Sequence, residues 1–392
     1  MTMRLAPPSP DQFTSRLRSP AVAARVGLWL GICFGTCFVT GLISHYAQLP
    51  DQPIPFPTSP SWGYRLTQGL HVVTGTAAIP LLLVKLWSVL PKLFEGLPLR
   101  DVRALVLTGL ERASIAVLVA SAIFQLATGL ANAAQWYPWS AFSFRTTHYA
   151  IAWVAIGALV VHVAVKLPVI RDVLTSDIDA TSRDRATAAT DTPGVLSRRA
   201  LVRTTFAAAA VTALATAGST VPWLRRVSVF AVRTGEGPGG VPINKSARAA
   251  RVEESATSAD WRLEVVVDGS TAASLSYDDL RAMPQHTADL PIACVEGWSA
   301  QGTWSGVRLV DLLASAGAPA DRDVAVTSLQ ESGPYRRTTL PANFAADPRT
   351  LLALDLSGEP LALDHGYPCR LIAPDRPGVL QTKWLSRLEV ST

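Results

Sequence analysis

Charge is scarce in this sequence, and its distribution says more than its amount. Only 17% of the 392 residues are charged against 49% hydrophobic, and the mean hydropathy is +0.25. A fully soluble chain of this length carries more charge. Five runs hold no charged residue at all: Val26–Ser44, Leu66–Val84, Ala113–Asn132, Thr146–Val165 and Thr204–Leu224. Cysteine is equally sparse. Cys33, Cys37, Cys294 and Cys369 form neither a CxxC nor a disulfide framework, which excludes a zinc ribbon and a disulfide-stapled scaffold. The net charge of +5 comes from Lys and Arg in loops between apolar runs, where membrane topology accounts for them and a nucleic-acid-binding face does not.

Each charge-free run has about the ~20 residues that cross a ~30 Å hydrocarbon core as a helix. Arg16, Arg18 and Arg25 precede the first run; Lys92, Arg100 and Arg103 lie between the second and third; Lys166, Arg171, Arg183 and Arg185 follow the fourth. The other two loops, around Asp51–Ser61 and Ala133–Phe144, have no Lys or Arg. This alternation predicts a cytoplasmic N-terminus, and Trp136, Tyr137 and Trp139 then form an outer aromatic belt. Five crossings place everything after Leu224 outside the plasma membrane of a bacterium.

Six segments follow: a cytoplasmic segment 1–25, a four-helix membrane domain 26–170, a cytoplasmic loop 171–203, a fifth helix 204–224, a linker and lead-in 225–250, and a globular domain 251–392. The linker holds Gly235-Glu236-Gly237-Pro238-Gly239-Gly240 and ends in Pro242-Ile243-Asn244-Lys245. Ser197-Arg198-Arg199-Ala200-Leu201-Val202 before the fifth run resembles a twin-arginine export signal, a receptor-read address suited to folded, cofactor-loaded domains. Its bland reading is further cytoplasmic positive charge. No small-residue cleavage site stands out, so the helix is expected to remain as a tether.

Ionisable groups within membrane segments are costly and point to function. His45, His71, His148 and His162 lie in or at the edge of these runs. At ~1.5 Å per residue, His71 and His148 differ in depth by only ~5 Å, so facing helices would offer both to one haem b iron. His162, fourteen residues after His148, falls on nearly the same helix face ~21 Å away and has no histidine partner. Hydrogen bonding between helices is the alternative role for these rings. The runs are loosely similar to bacterial b-type cytochrome subunits, through histidine placement alone.

Beyond Arg251 the pattern changes. Leu263–Val267 is β-branched and ends in Asp268-Gly269, a strand followed by a turn. Tyr277-Asp278-Asp279-Leu280 opens a short helix with an acidic first turn. Val307–Ala316 reads as a helix, and Asp323–Leu329, Arg370–Ala373 and Arg387–Val390 as strands. The expected fold is a multi-domain chain: an all-α bundle of four membrane helices plus a tethering fifth, then a mixed α+β domain of about 140 residues with a single core.

Within that domain, Pro291-Ile292-Ala293-Cys294-Val295-Glu296-Gly297-Trp298-Ser299, followed by Trp304-Ser305-Gly306-Val307-Arg308-Leu309 and Asp311-Leu312-Leu313, resembles the cysteine segment of the sulfite oxidase family of molybdoenzymes. Cys-Val-Glu-x-Trp-Ser is most similar to periplasmic methionine-sulfoxide reductase catalytic subunits. A second block agrees in order: Leu351-Leu352-Ala353, Gly358-Glu359-Pro360-Leu361, His365 to Ile372, Gly378, and Lys383-Trp384-Leu385. The resemblance covers roughly Asn244 to Val390.

It implies that Cys294 is the one protein ligand of a molybdenum otherwise held by molybdopterin, with Glu296 beside it, and that Asn244, Lys245, Ser328, His365, Arg370, the Gly378-Val379-Leu380 turn and Lys383 hold the cofactor. A thiolate is a soft donor suited to such a metal, and the Arg370 guanidinium is a rigid fork for phosphate. Two positions depart from the reductases: His365 replaces Asn, and Leu380 replaces Lys. Glu296 reads equally as a surface carboxylate, Trp298, Trp304 and Cys369 as core, and Tyr335, Arg336 and Arg337 as a solvated run. The sequence ends without the immunoglobulin-like dimerisation domain of sulfite oxidases, which leads to the expectation of a monomeric catalytic unit.

The expected activity is oxygen-atom transfer on a small substrate, with electrons exchanged through haem b and quinone or quinol in the lipid bilayer. Sulfoxide reduction is favoured and sulfite oxidation is its rival. In the other classes Cys294 is a nucleophile or core thiol, or the chain binds a ligand without turnover. No His or Asp stands at motif spacing to activate Cys294.

Overall fold

The structure is a computed structural model and describes residues 9–137, 143–184, 188, 196–231, 237–319 and 321–391. Trp139, Arg185, Gly235 and Glu236 lie outside the described residues. The chain divides into two compact units. The first comprises 1–41, 70–217 and 226–230, and the second 42–69, 218–225 and 231–392.

Long apolar runs leave the backbone few other partners, so its hydrogen bonds close within each segment, as a helix. The helices are α1 (Pro20–Ala47), α2 (Gly63–Val89), α3 (Val102–Ala133), α4 (Phe144–Thr175) and α5 (Arg198–Thr216). All five are long and apolar enough to cross a membrane. Asp101 caps α3 through the Ala104 N–H at 3.0 Å, and Ser197 caps α5 through Ala200 at 3.1 Å, each satisfying a donor the helix leaves open. The first four helices outrun their charge-free stretches, because Lys and Arg near helix ends carry long apolar stems. The fifth does not. The run expected to be helical through Leu224 leaves the α-helix after Thr216 and continues as separate 3-10 turns, Ala217–Ser219 and Pro222–Leu224. Gly218 and Pro222 interrupt it, since proline brings no N–H and clashes with the preceding turn.

The core of the helical unit joins Val22, Val26 and Cys33 of α1 to Ala78 and Leu81 of α2, Val173 of α4, and Val202 and Ala209 of α5. Large apolar side chains such as Leu28, Trp29, Leu83, Trp153, Val160 and Val211 face outward. The twin arginines are engaged. Arg198 is buried, donates to the carbonyls of Arg16, Ile178 and Ala180, and pairs with Asp184. Arg199 pairs with Asp177 at 2.9 Å and Asp179 at 3.2 Å.

The second unit holds the remaining elements: α6 (Ala247–Ala250), α7 (Glu253–Thr257), β1 (Leu263–Val267), β2 (Ser270–Leu275), α8 (Tyr277–Ala282), β3 (His286–Ala293), β4 (Ser299–Arg308), α9 (Leu309–Ser315), β5 (Val324–Ser328), β6 (Arg337–Leu340), α10 (Ala342–Ala345), β7 (Leu351–Leu356), β8 (Glu359–Pro360), β9 (Arg370–Ile372) and β10 (Leu385–Val390). The helix expected at Val307–Ala316 starts two residues later, because Val307 and Arg308 finish β4 against Leu352 and Leu351. One sheet has the order β2-β1-β10-β5-β6, with β1 and β10 parallel. The other runs β3-β4-β7-β8, with β9 on β7.

β7 is central to both cores. Leu352 and Leu354 join the cluster of Leu263, Val265, Val324, Val326 and Leu388, while Leu351, Ala353 and Leu356 join Leu290, Ile292, Trp298 and Trp304. A strand buried on both faces reads as a continuous apolar run, as Leu-Leu-Ala-Leu does here. The loop between α1 and α2 belongs to this unit. The Pro50 carbonyl accepts from Thr339 N at 2.9 Å, Phe56 O from Asn343 at 2.7 Å, and Thr58 O from Arg349 at 3.1 Å.

β4 carries a bulge between Ser305 and Gly306. A Cβ on Gly306 would lie 2.0 Å from the Leu352 carbonyl oxygen and 2.8 Å from Ala353 Cα. Backbone cannot yield as a side chain does, so Gly306→Ala is expected to cost about 1–3 kcal/mol or more. Thermal unfolding of the purified chain checks this, and an unchanged midpoint would contradict it.

Candidate functional site

The thiol sits where two strands turn. β3 ends at Ala293, and Cys294 to Trp298 form the loop into β4, closed by Cys294 N to Trp298 O at 2.9 Å and Gly297 N to Cys294 O at 3.1 Å. Gly297 takes φ 79°, a left-handed conformation glycine adopts without strain. Its carbonyl accepts from the Ser219 hydroxyl at 3.0 Å and from that of Thr220. Cys294 is 1% exposed. Burial, then the Glu296 carboxylate, push the thiol up to about 12. Without a metal it is therefore protonated at neutral pH, and a bound cation would displace that proton. Glu296 is half-buried and accepts from Trp298 Nε1 at 3.3 Å.

Most of the residues expected to hold the cofactor come together. His365 ends a 3-10 turn, Leu363–His365. Burial, then the charges of Arg370 and Lys383, push it down to about 4, against the carbonyls of Pro238 and Val241. Neither ring nitrogen completes a well-formed hydrogen bond. Arg370, 1% exposed at the start of β9, donates from Nη1 to His365 O at 3.1 Å, lies 5.2 Å from the Trp304 ring centre, and has no partner for Nε. Burial lowers its pKa to about 9, with Cys294 acting the other way. The Lys383 ammonium donates to the carbonyls of Lys245 at 2.9 Å and Asp364 at 2.8 Å. Burial, then Arg370, push it down to about 6.

The other expected contacts are engaged within the chain. Lys245 Nζ donates to Gln330 Oε1 at 2.9 Å, and Asn244 Oδ1 accepts from Lys245 N at 3.0 Å. Ser328 Oγ donates to Lys383 O at 2.7 Å and so acts through Lys383. Gly378, Val379 and Leu380 form a 3-10 turn with Leu380 fully buried. A Cβ on Gly378 would lie 3.1 Å from Ala293 O, which brings this turn against the strand that delivers Cys294. Trp298, Trp304 and Cys369 are core. Arg337 is exposed and pairs with Glu389 at 3.3 Å.

Two residues escaped the sequence reading. Arg376 is 2% exposed, donates from Nη2 to Thr339 O at 2.9 Å, and leaves Nε and Nη1 unpartnered. Burial alone lowers its pKa to about 9. Its neighbour Asp375 accepts from Tyr64 N at 2.5 Å. The available signal was Pro374-Asp375-Arg376-Pro377-Gly378, a cation four residues before Leu380.

Buried cations and idle donors of this kind fit an anionic, phosphate-bearing group. A pterin dithiolene with a metal for the thiol is such a group.

Comparison with known proteins agrees. Residues 249–392 match the family described as oxidoreductase molybdopterin binding domain. Mouse mitochondrial sulfite oxidase is 31% identical over 159 residues, 34% of this chain and 29% of that protein. A putative protein-methionine-sulfoxide reductase subunit, YedZ1, of Azospira oryzae is 34% identical over 133 residues, 34% of this chain and 50% of that one. The protein-methionine-sulfoxide reductase catalytic subunit MsrP of Xanthomonas campestris is 33% identical over 138 residues, 31% of this chain and 42% of that one. The chain thus spans less than a third of the mitochondrial sulfite oxidases it matches and half or less of the two bacterial proteins. Residues 249–392 are thus similar to molybdopterin-binding oxidoreductase domains, those of sulfite oxidases and of MsrP among them.

Asp375 gives this region a pH signature. Burial raises its carboxyl to about 6, against donors from Tyr64 and Gly63, from an unfolded value of ~3.9. The fold prefers the protonated form, so its contribution is fully present below about pH 4 and is lost as pH rises through about 6. Asp375→Asn, which cannot ionise, is expected to flatten that decline. Thermal unfolding followed from about pH 4 to about pH 7 checks this, and an equal decline in the variant contradicts it.

Proposed function

We propose that this chain is a membrane-anchored molybdenum oxidoreductase that moves one oxygen atom to or from a small substrate on the outer face of a bacterial plasma membrane. Cys294 carries the reading. It is a buried thiol at a strand turn, in the unit that also holds the buried basic side chains Arg370, Arg376 and Lys383, two of them with idle donors. Cys294 binds the metal, His365, Arg370 and Lys383 hold the pterin phosphate, Lys245 and Ser328 brace them, and Gly378 lets the 378–380 turn approach. The cofactor supplies the two-electron oxygen transfer when bound.

The favoured direction is reduction. A sulfoxide gives up its oxygen, takes two electrons and two protons, and leaves as a thioether with one water. Quinol supplies both electrons and protons. Likeness to the methionine-sulfoxide reductases supports this, through Cys294-Val295-Glu296 and Trp298-Ser299. Sulfite oxidation, in which sulfite and water give sulfate, two protons and two electrons, is the second reading and rests on the sulfite oxidase likeness.

Anchoring rests on the five apolar helices and the alternation of Lys and Arg between their loops. His71 and His148 would hold a haem b, which would supply one-electron transfer from quinol. Those two rings face each other with centroids 6.3 Å apart, a spacing that suits one metal bonded at ~2 Å to each ring. Arg198 and Arg199 serve as an export address only before the folded loop engages them in ion pairs.

Purified chain is expected to hold about one molybdenum, lost in Cys294→Ser, and to oxidise reduced methyl viologen when given methionine sulfoxide. Cys294→Ser should fall to background. Dye reduction by sulfite instead would move the assignment to the second reading, and a metal-free wild type would end both. The reduced-minus-oxidised visible spectrum should show a b-type band that disappears in His71→Ala. A band unchanged in that variant would remove His71 from ligation.

A further inference from the structure

Each of the two facing histidines is held from behind by a threonine on the neighbouring helix, and the two helix pairs repeat the arrangement. Nδ1 of His71 on α2 lies 3.1 Å from Oγ1 of Thr40 on α1, and Nδ1 of His148 on α4 lies 2.9 Å from Oγ1 of Thr128 on α3. Both hydroxyls also point back along their own helices, Thr40 to the Thr36 carbonyl and Thr128 to the Phe124 carbonyl, each at 2.7 Å. A hydroxyl has one proton and two lone pairs. With that proton committed to a carbonyl, the oxygen can only accept from the ring. In that arrangement Nδ1 carries the hydrogen in both histidines, and Nε2 keeps its lone pair.

The next residue is glycine in each case. A Cβ on Gly41 would lie 3.4 Å from His71 Cε1, and one on Gly129 3.6 Å from His148 Cε1. Thr-Gly-Leu recurs as Thr40-Gly41-Leu42 and Thr128-Gly129-Leu130, so threonine and glycine together fix one edge of each ring. The rings meet with their planes 60° apart. A bridge between helices would account for either hydrogen bond alone. It would not require the same tautomer twice on two rings that face each other.

We infer that Thr40 and Thr128 are paired positioning residues that lock His71 and His148 as Nδ1–H tautomers and turn both Nε2 lone pairs toward one haem iron. This rests on the haem reading above. Among the described residues no group of three or more His, Cys, Asp or Glu could hold a bare metal ion, and a haem needs only these two axial ligands because its ring supplies the other four nitrogens. A hydrogen bond donated by the far nitrogen raises the basicity of the metal-bound one, which stabilises the oxidised iron. Losing the acceptor should shift the midpoint potential to more positive values.

The test is spectroelectrochemical titration of purified full-length chain. Thr40→Val and Thr128→Val keep the side-chain volume and remove the acceptor; each should raise the potential, while Thr40→Ser and Thr128→Ser restore it. Thr76→Val is the control, because Thr76 lies on α2 and donates to the Val72 carbonyl at 2.8 Å; its potential should not move. Molybdenum content, read in parallel, should be the same in all variants. If the valine variants bind no haem while the serine variants do, the inference also stands. Valine variants titrating with the wild type, or haem lost equally in the valine, serine and control variants, would overturn it. A wild type with no b-type band would instead remove the haem reading itself.

Discussion

Buried basic side chains that form no ion pair with a carboxylate among the described residues are the constraint on which the second unit depends. Arg370 and Arg376 are almost wholly enclosed, and Lys383 is little more exposed. Arg370 spends one nitrogen on a carbonyl, Arg376 likewise, and Lys383 two bonds on carbonyls. Removing such groups from water costs several kcal/mol per ion unless an opposite charge accompanies them. The fold concentrates that cost beside a thiol that burial keeps protonated. Both halves of the imbalance have the same remedy: a group that brings a metal for the sulfur and phosphate for the guanidinium and ammonium. Cys294 is felt electrostatically by both Arg370 and Lys383, and Arg370 by Lys383.

The backbone around this unit is built to come close. Gly378 brings a turn against the Ala293 carbonyl, Gly306 lets β4 and β7 approach, and Gly366, at φ 112°, packs against Lys383 and Arg370. Bulk at such positions would separate the strands that deliver the thiol from the turns that deliver the cations. Loop Gln48–Trp62 adds a border to the same unit through Thr339, Asn343 and Arg349. A segment written in the sequence as a loop between membrane helices is, in hydrogen-bonding terms, part of the oxidoreductase unit.

The sequence made some of this legible and hid the rest for physical reasons. The five apolar helices could be read because nothing charged interrupts them, but their ends could not: α3 already contains Arg103, Glu111 and Arg112, and α4 extends through Lys166 and Arg171. Strand β1 was plain from Leu-Glu-Val-Val-Val. β3 and β4 were not, since Pro291 sits inside one and Ser, Gln, Gly and Thr fill the other. Those strands were visible as a motif around Cys294 and not as secondary structure. His365, Arg370 and Lys383 were found by resemblance, whereas the role of Ser328 as a brace for Lys383 needed coordinates. The threonines behind His71 and His148 were invisible because their partners stand 31 and 20 residues away.

Leu380 poses the sharpest question about the proposed cofactor grip, and Arg376 is the buried cation nearest to it in sequence. The resemblance puts a lysine where this chain has a fully buried leucine, so one cation is missing from the turn. The charge is nevertheless present four residues earlier, inside the same Pro374–Leu380 segment, with two nitrogens idle. A guanidinium gives up water more readily than an ammonium, which suits it to a buried position. The phenyl ring of Phe344, 5.6 Å from the guanidinium carbon, suits the planar group and would do less for a point charge. On the proposed reading, a cation at 376 takes the place of the one that the resemblance puts at 380.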